Sequence, residues 1–120
     1  MSELAWTRLQ QGNSSDARRA FLESAQAYTD VASVRGVGLA LIGLAATDEV
    51  EQRPARAVQI AAAAEVYAAE DGIVNVYSDD TPGRDYVDRA RAALPPDEVE
   101  RAIQAGRRLT IEEALGLARG

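Results

Sequence analysis

The chain has 120 residues, which is enough for one compact domain and too few for a second independent core. It contains no cysteine and no histidine, so disulfides, zinc–thiolate centres, cysteine nucleophiles and imidazole bases are excluded. The net charge of −6 opposes approach to nucleic-acid phosphates, residues 1–10 do not have the pattern expected of a secretory signal, and no run of 18 apolar residues occurs in the sequence. The composition therefore predicts a cytoplasmic protein that has no cofactor and binds neither nucleic acid nor a membrane.

The composition also indicates closely packed helices, because 24 of the 120 residues are alanine and only six are aromatic. Hydrophobic spacing and turn residues predict four helices, at about 2–11, 14–28, 33–50 and 54–71. The third is apolar around nearly its whole circumference from Val37 to Ala46, which predicts burial between other helices.

The second half predicts an ordered loop at 73–80 and then three shorter helices. These run from about Thr81–Pro82 to Leu94, from Asp97 to Ala105, and from Ile111 to Ala118. Gly106 is expected to end the sixth helix. Thr110 and Glu113 have the spacing of a capping box at the seventh. The prediction is thus one all-α domain over 1–120, with hairpins at about 2–28 and 33–71 and cap helices at about 82–118. A closed helical bundle is the alternative.

An internal repeat connects the two predicted hairpins. Ala5 and Ala17 are twelve residues apart, as are Ala45 and Ala57, and the two pairs are offset by 40 residues. Small residues at one crossing point let two helices pack closely.

The first hairpin resembles a tetratricopeptide repeat, with small, glycine, small and aromatic residues in the family's order at Ala5, Gly12, Ala17 and Phe21. The second hairpin has Gln52 in place of the glycine and Ala61 in place of the aromatic. The resemblance implies a right-handed array of two antiparallel hairpins, closed by a three-helix cap.

A wider resemblance covers most of the chain. The segments RGVGLALIGLAA, RPARAVQIAAAAE and AGRRLTIEEALGLA, with the Pro95–Pro96 break between the last two, look like the C-terminal helical-repeat end of large bacterial ATPase regulators. These include LuxR-type and cyclase-linked signal-transduction ATPases. The tail positions that match are Ala105, Gly106, Arg107, Leu109, Thr110, Ile111, Glu112, Glu113 and Ala114. This resemblance implies a non-catalytic interaction or sensing module of a bacterial signalling or transcription regulator.

The charged pairs are interpreted as structural rather than catalytic, and no metal site is expected. Adjacent residues on a helix point about 100° apart, so Glu112–Glu113 does not form a two-carboxylate site. Asp79–Asp80 and the acidic residues 97–100 lie at predicted helix starts, where negative charge is favoured. The arginine pairs Arg18–Arg19 and Arg107–Arg108 are interpreted as solvated helix faces.

The concave surface of a helical-repeat array is lined by the first helix of each hairpin. The resemblance therefore assigns a partner-binding face, called here the partner face, to Trp6, Gln10, Ile42, Ala46 and Glu49. The expected partner is a protein, a peptide or a neighbouring domain of a larger parent.

A homodimer through the first helix is also predicted, because Leu4, Trp6 and Leu9 carry apolar surface that only one flank of the helix can bury against the second helix.

Two alternative functions remain at this point. The first is a stand-alone homo-oligomeric helical scaffold. The remote alternative is a hydrolase that uses acidic residues and a divalent cation.

Overall fold

The computed structural model describes residues 2–70 and 83–119, which form helices and no strand, so the all-α prediction is confirmed for this part of the chain. The helices are α1 Ser2–Gln10, α2 Ser14–Asp30, α3 Val34–Val50, α4 Pro54–Glu70, α5 Arg84–Ala92, α6 Pro96–Arg107 and α7 Ile111–Ala118. The predicted end of the fourth helix at 71–72 and the predicted loop at 73–80 lie outside the described residues.

The first three turns of the chain are the same structure, repeated every 20 residues. Gly12, Ala32 and Gln52 all have left-handed backbones, with φ of 81°, 57° and 63°. In each turn a backbone amide donates a hydrogen bond to the carbonyl oxygen five residues earlier. The N···O distances are 2.9 Å from Asn13 to Arg8, 2.8 Å from Ser33 to Tyr28, and 2.8 Å from Arg53 to Asp48. This is the Schellman arrangement that ends helices. The same turn therefore joins α1 to α2, α2 to α3 and α3 to α4, even where Ala32 and Gln52 stand in place of a glycine.

The left-handed backbone at these turns predicts opposite effects of two substitutions on stability. Ala32→Gly should raise the free energy of unfolding by about 1 kcal/mol, because a left-handed backbone strains any residue with a Cβ. Gly12→Ala should lower it by about 1 kcal/mol for the same reason. A Cβ at Gly12 would meet no atom within 4 Å, so that change reports backbone strain rather than a clash. Urea unfolding of both variants measures the effect, and shifts in the same direction would contradict it.

The central helix α3 is the core of the fold, as its apolar circumference predicted. Every residue from Ala40 to Asp48 is buried, and α2, α4, α5 and α7 all pack against this helix. Two glycines allow α2 to come close: a Cβ added at Gly36 would overlap the ring of Tyr28, and one at Gly43 the ring of Phe21. The prediction of burial was wrong for Leu39, which is 40% exposed, but the packing of four helices on α3 makes it the platform on which they are positioned.

The predicted end of the sixth helix and the predicted start of the fifth were wrong, and the ends of α2 and α5 each differ from the prediction by two residues. The sixth helix does not stop before Gly106 but continues to Arg107, and Gly106 is buried within it. A Cβ at Gly106 would overlap the backbone carbonyl oxygen of Gln59, so this glycine is required by the contact between α6 and α4. The fifth helix begins at Arg84 rather than at about 82, because Gly83 has a φ of 93° that a helix cannot continue through.

The capping box at α7 is confirmed. The Thr110 hydroxyl oxygen accepts a hydrogen bond from the amide of Glu113 at 3.1 Å, and the Glu113 carboxylate accepts one from the amide of Thr110 at 3.0 Å. One carboxylate of the Glu112–Glu113 pair is therefore engaged in starting the helix.

Candidate functional site

The structure separates the partner face into accessible and buried residues. Gln10 is exposed, Trp6 is partly exposed, and the Glu49 side chain is 18% exposed. Ile42 and Ala46, however, are 1% and 0% exposed and belong to the core. The expectation that these two residues lie on an open surface needs correction, because α5 packs on the same side of α3.

Three residues of the partner face contact one segment of the chain, Gly83 to Arg89. The indole of Trp6 lies against the ring of Tyr86, with centroids 6.0 Å apart. A Cβ at Gly83 would approach Ile42 to 3.0 Å and Trp6 to 2.6 Å, so the backbone of Gly83 packs directly on these two side chains. The structure thus brings Trp6, Ile42 and Glu49 together around α5 and the residue before it.

An ion pair completes this contact. The Arg89 guanidinium donates from Nε to Glu49 Oε1 at 3.2 Å and lies 4.6 Å from the centroid of the Tyr86 ring. The hydrogen bond that Arg89 donates to Glu49 is the main cause that raises the pKa of Arg89 above its ordinary value, although desolvation acts against it. Tyr86 and Arg89 are three residues apart and share one helix face. That spacing lets one side of α5 contact both Trp6 and Glu49.

The aromatic contact extends to the core through α1. Trp6 meets Phe21 edge to face, with centroids 5.0 Å apart and planes at 73°. Such a geometry is favourable because the positive ring edge faces the negative ring face. The rings therefore link α2, α1 and α5, and any movement of α5 changes the surroundings of the indole.

A second polar site lies on α3 one residue before Glu49, and it is buried. Asp48 is 0% exposed and accepts hydrogen bonds from Arg18 at 2.7 Å and from Arg56 at 2.7 and 3.0 Å. Arg18 also donates to Glu51 at 2.5 Å and to the backbone carbonyl of Ala118 at 2.6 Å. This charge cluster, formed by Arg18, Asp48, Glu51 and Arg56, connects α2, α3, α4 and α7.

Sequence reasoning missed the charge cluster. Arg18–Arg19 was interpreted as a solvated pair, and that is wrong for Arg18, whose side chain is 13% exposed. A usable signal was present in α3, where Asp48 follows a long apolar run on a helix expected to be buried all round. A carboxylate in such a place requires a cationic partner, because an unpaired buried charge is very costly.

The charge cluster shifts the pKa of its members in opposite directions. Burial raises the pKa of Glu51, but the hydrogen bond and charge of Arg18, helped by the Ser14 hydroxyl, more than offset this and hold it below its ordinary value. Burial likewise lowers the pKa of Arg18, and its bonds to Asp48 and Glu51 outweigh that effect, so its pKa is raised. Both shifts favour the ionised cluster.

Stability should therefore fall in acid through Glu51. Below its ordinary pKa of 4.5 the unfolded chain binds a proton at this residue before the folded chain does, so protonation favours unfolding. The contribution is present above pH 4.5 and is lost as pH falls through the lowered folded-state pKa. Urea midpoints between pH 7 and pH 3 should fall less steeply for Glu51→Gln than for the wild type. Glu100→Gln on the exposed face of α6 is the control, and equal slopes for the wild type and Glu51→Gln would contradict the assignment.

Among residues 2–70 and 83–119, no group of three or more potential ligands could hold a metal ion, and no helix is long and apolar enough to cross a membrane. Asp79 and Asp80 lie outside these ranges. On α6, Asp97 pairs with Arg101 at 3.3 Å, and Glu100 accepts from Gln104 at 3.1 Å. Both are contacts within one exposed helix face.

The apolar surface expected for a dimer is mostly covered by the fold itself. Of the three residues assigned to it, Leu9 is 3% exposed and Trp6 packs against Phe21 and Tyr86, while Leu4 remains 54% exposed. Helix α1 thus finds most of its apolar contacts within the chain.

Comparison with models of known protein families, with curated proteins and with solved structures gives no significant match to this chain.

Proposed function

We propose that this chain is a non-catalytic protein-interaction or sensing module of a bacterial signalling or transcription regulator. Its architecture is tetratricopeptide-like, with α1–α2 and α3–α4 as two hairpins of a right-handed array and α5–α7 as the closing segment. The packing of α1 on α2, of α2 on α3 and of α3 on α4 supports this arrangement. The resemblance of the sequence to regulator C-terminal repeats supports the biological setting.

One observation carries the proposal: Trp6 of α1 and Ile42 and Glu49 of α3 already contact the segment of α5, a helix that packs on α3 and α4. Trp6 and Glu49 contact aromatic and cationic side chains of α5, and Ile42 lies against the backbone at Gly83. A groove that accepts a helix within the chain has the shape and chemistry to accept one from a protein or peptide partner. The partner face is therefore proposed as the binding site, with Gln10 and Glu49 as its accessible edge.

A peptide-display selection for helical peptides that bind the immobilised chain tests this proposal. Binding of the selected peptides should fall at least tenfold on Glu49→Arg, because the substitution turns the acceptor at the edge of the groove into a repelling charge. The matched control is Glu100→Arg on the exposed face of α6, which should change the affinity less than twofold. Both variants are first checked for the wild-type circular dichroism and melting profile. Selected peptides that bind Glu49→Arg as well as the wild type would contradict the site.

A further inference from the structure

Helix α5 is held by a smaller buried surface than the helices beneath it. It has nine residues, of which Val87 and Ala90 are the buried ones, and its other side chains include three arginines and two aspartates. A helix of nine residues is not stable alone in water, so its helical state depends on docking. Helix α3, by contrast, is buried without interruption from Ala40 to Asp48.

We propose that α5 is a displaceable internal ligand, and that the partner is an amphipathic helix with an aromatic residue followed three positions later by an arginine. This inference rests on the proposed function and specifies its partner. The incoming helix replaces Tyr86 on the indole of Trp6 and replaces Arg89 at the carboxylate of Glu49. Displacement is then the event that opens the partner face.

The contacts of α5 define what the surface recognises. The Trp6 indole accepts a flat ring, and Glu49 accepts a guanidinium 3.2 Å away. Because Arg89 also covers the Tyr86 ring at 4.6 Å, the two side chains act as one unit that fixes the direction of the helix. A lysine would make a weaker replacement, since it lacks the planar group that covers a ring while it donates hydrogen bonds.

Close backbone approach sets a further requirement. The chain enters the groove at Gly83, where a Cβ would come within 2.6 Å of Trp6 and 3.0 Å of Ile42. A partner helix should therefore carry a glycine three residues before its aromatic position, or begin after that point.

Native-state hydrogen exchange tests whether α5 opens by itself. If it is displaceable, its amides exchange at least a hundredfold faster than those of α3, because they open without global unfolding. Equal protection of α5 and α3 would show that α5 separates only when the whole domain unfolds, and that result would overturn the inference.

A peptide experiment tests recognition directly and uses the fluorescence of Trp6, the single tryptophan of the chain. The probe is a synthetic peptide with the sequence of residues 83–94, GRDYVDRARAAL. Its control has alanine at the positions of Tyr86 and Arg89. The receptor is the full chain with Tyr86→Ala and Arg89→Ala, which empties the aromatic and arginine contacts. The probe should bind this receptor at least tenfold more tightly than it binds the wild type, and the control peptide should bind neither.

If the double variant does not fold, Arg89→Ala alone serves as the receptor, since the Arg89 side chain is 56% exposed and its removal leaves the core intact. Equal binding of probe and control peptides, or no change in tryptophan fluorescence, overturns the inference. Selected foreign peptides that depend on Glu49 but lack the aromatic and arginine pair would refute this inference and leave the proposed function standing. Binding of the probe without any selectable foreign peptide would support a removable α5 and refute the proposed function.

Discussion

Replacing Asp48 by alanine should lower the free energy of unfolding by about 3 to 5 kcal/mol, the usual effect of removing one partner from a buried ion pair. Asp48 is fully buried and receives hydrogen bonds from two arginines that are themselves 13% and 17% exposed. Without the carboxylate, Arg18 and Arg56 are left close together with Glu51 as their remaining counter-ion. Urea unfolding monitored by circular dichroism measures the change.

The neighbouring carboxylate is a suitable control. Glu49→Gln removes an ion pair whose arginine is 56% exposed, and pairs of that kind contribute about 1 kcal/mol or less. A loss below about 1 kcal/mol for Asp48→Ala would mean that the charge cluster relaxes into water and does not hold the four helices together.

Gly106→Ala is the second substitution with a large expected effect, a loss of about 2 to 3 kcal/mol. The added methyl group would overlap the carbonyl oxygen of Gln59 and approach the Cβ of Ala62 to 2.8 Å. Because the first obstacle is backbone, α6 must move away from α4, and overpacking of this kind outweighs the gain of about 1 kcal/mol in helix propensity.

Gly116→Ala is the matched control for this prediction. Gly116 also lies within a helix, but a Cβ there would meet no atom within 4 Å. Gly116→Ala should raise the free energy of unfolding by about 0.5 to 1 kcal/mol through the higher helix propensity of alanine alone. A stabilising effect of Gly106→Ala would show that α6 can shift without cost and that this glycine is not required by the packing.

The last turn of α3 joins stability to the proposed function. Asp48 and Glu49 are adjacent and therefore point about 100° apart, one into the charge cluster and the other to Arg89 of α5. The ion pairs of Asp48 with Arg18 and Arg56 fix the rotation of this turn. That rotation directs the Glu49 side chain towards Arg89. Variants of Asp48 that still fold should therefore also weaken binding at the partner face.

The sequence by itself determined the helices and much of what ends them. The hydrophobic spacing of α1 to α4, the capping box at Thr110 and Glu113, and the burial of α3 were all predictable. These features depend on residues within about four positions of one another, and such local interactions can be recognised from spacing alone. The left-handed turns at Ala32 and Gln52 were harder to identify, because neither residue is the usual glycine.

The tertiary structure decided which helix faces meet. Arg18 reaches the carbonyl of Ala118, 100 residues away, and Trp6 lies on Tyr86 across most of the chain. An arginine on a helix looks the same in sequence whether it faces water or a buried aspartate. Likewise, the spacing of α5 shows an amphipathic helix but not the groove it occupies. The burial of Ile42 beside Gly83 depends on where α5 docks, and the docking of α5 depends on its contacts with α3 and α4, which no local pattern contains.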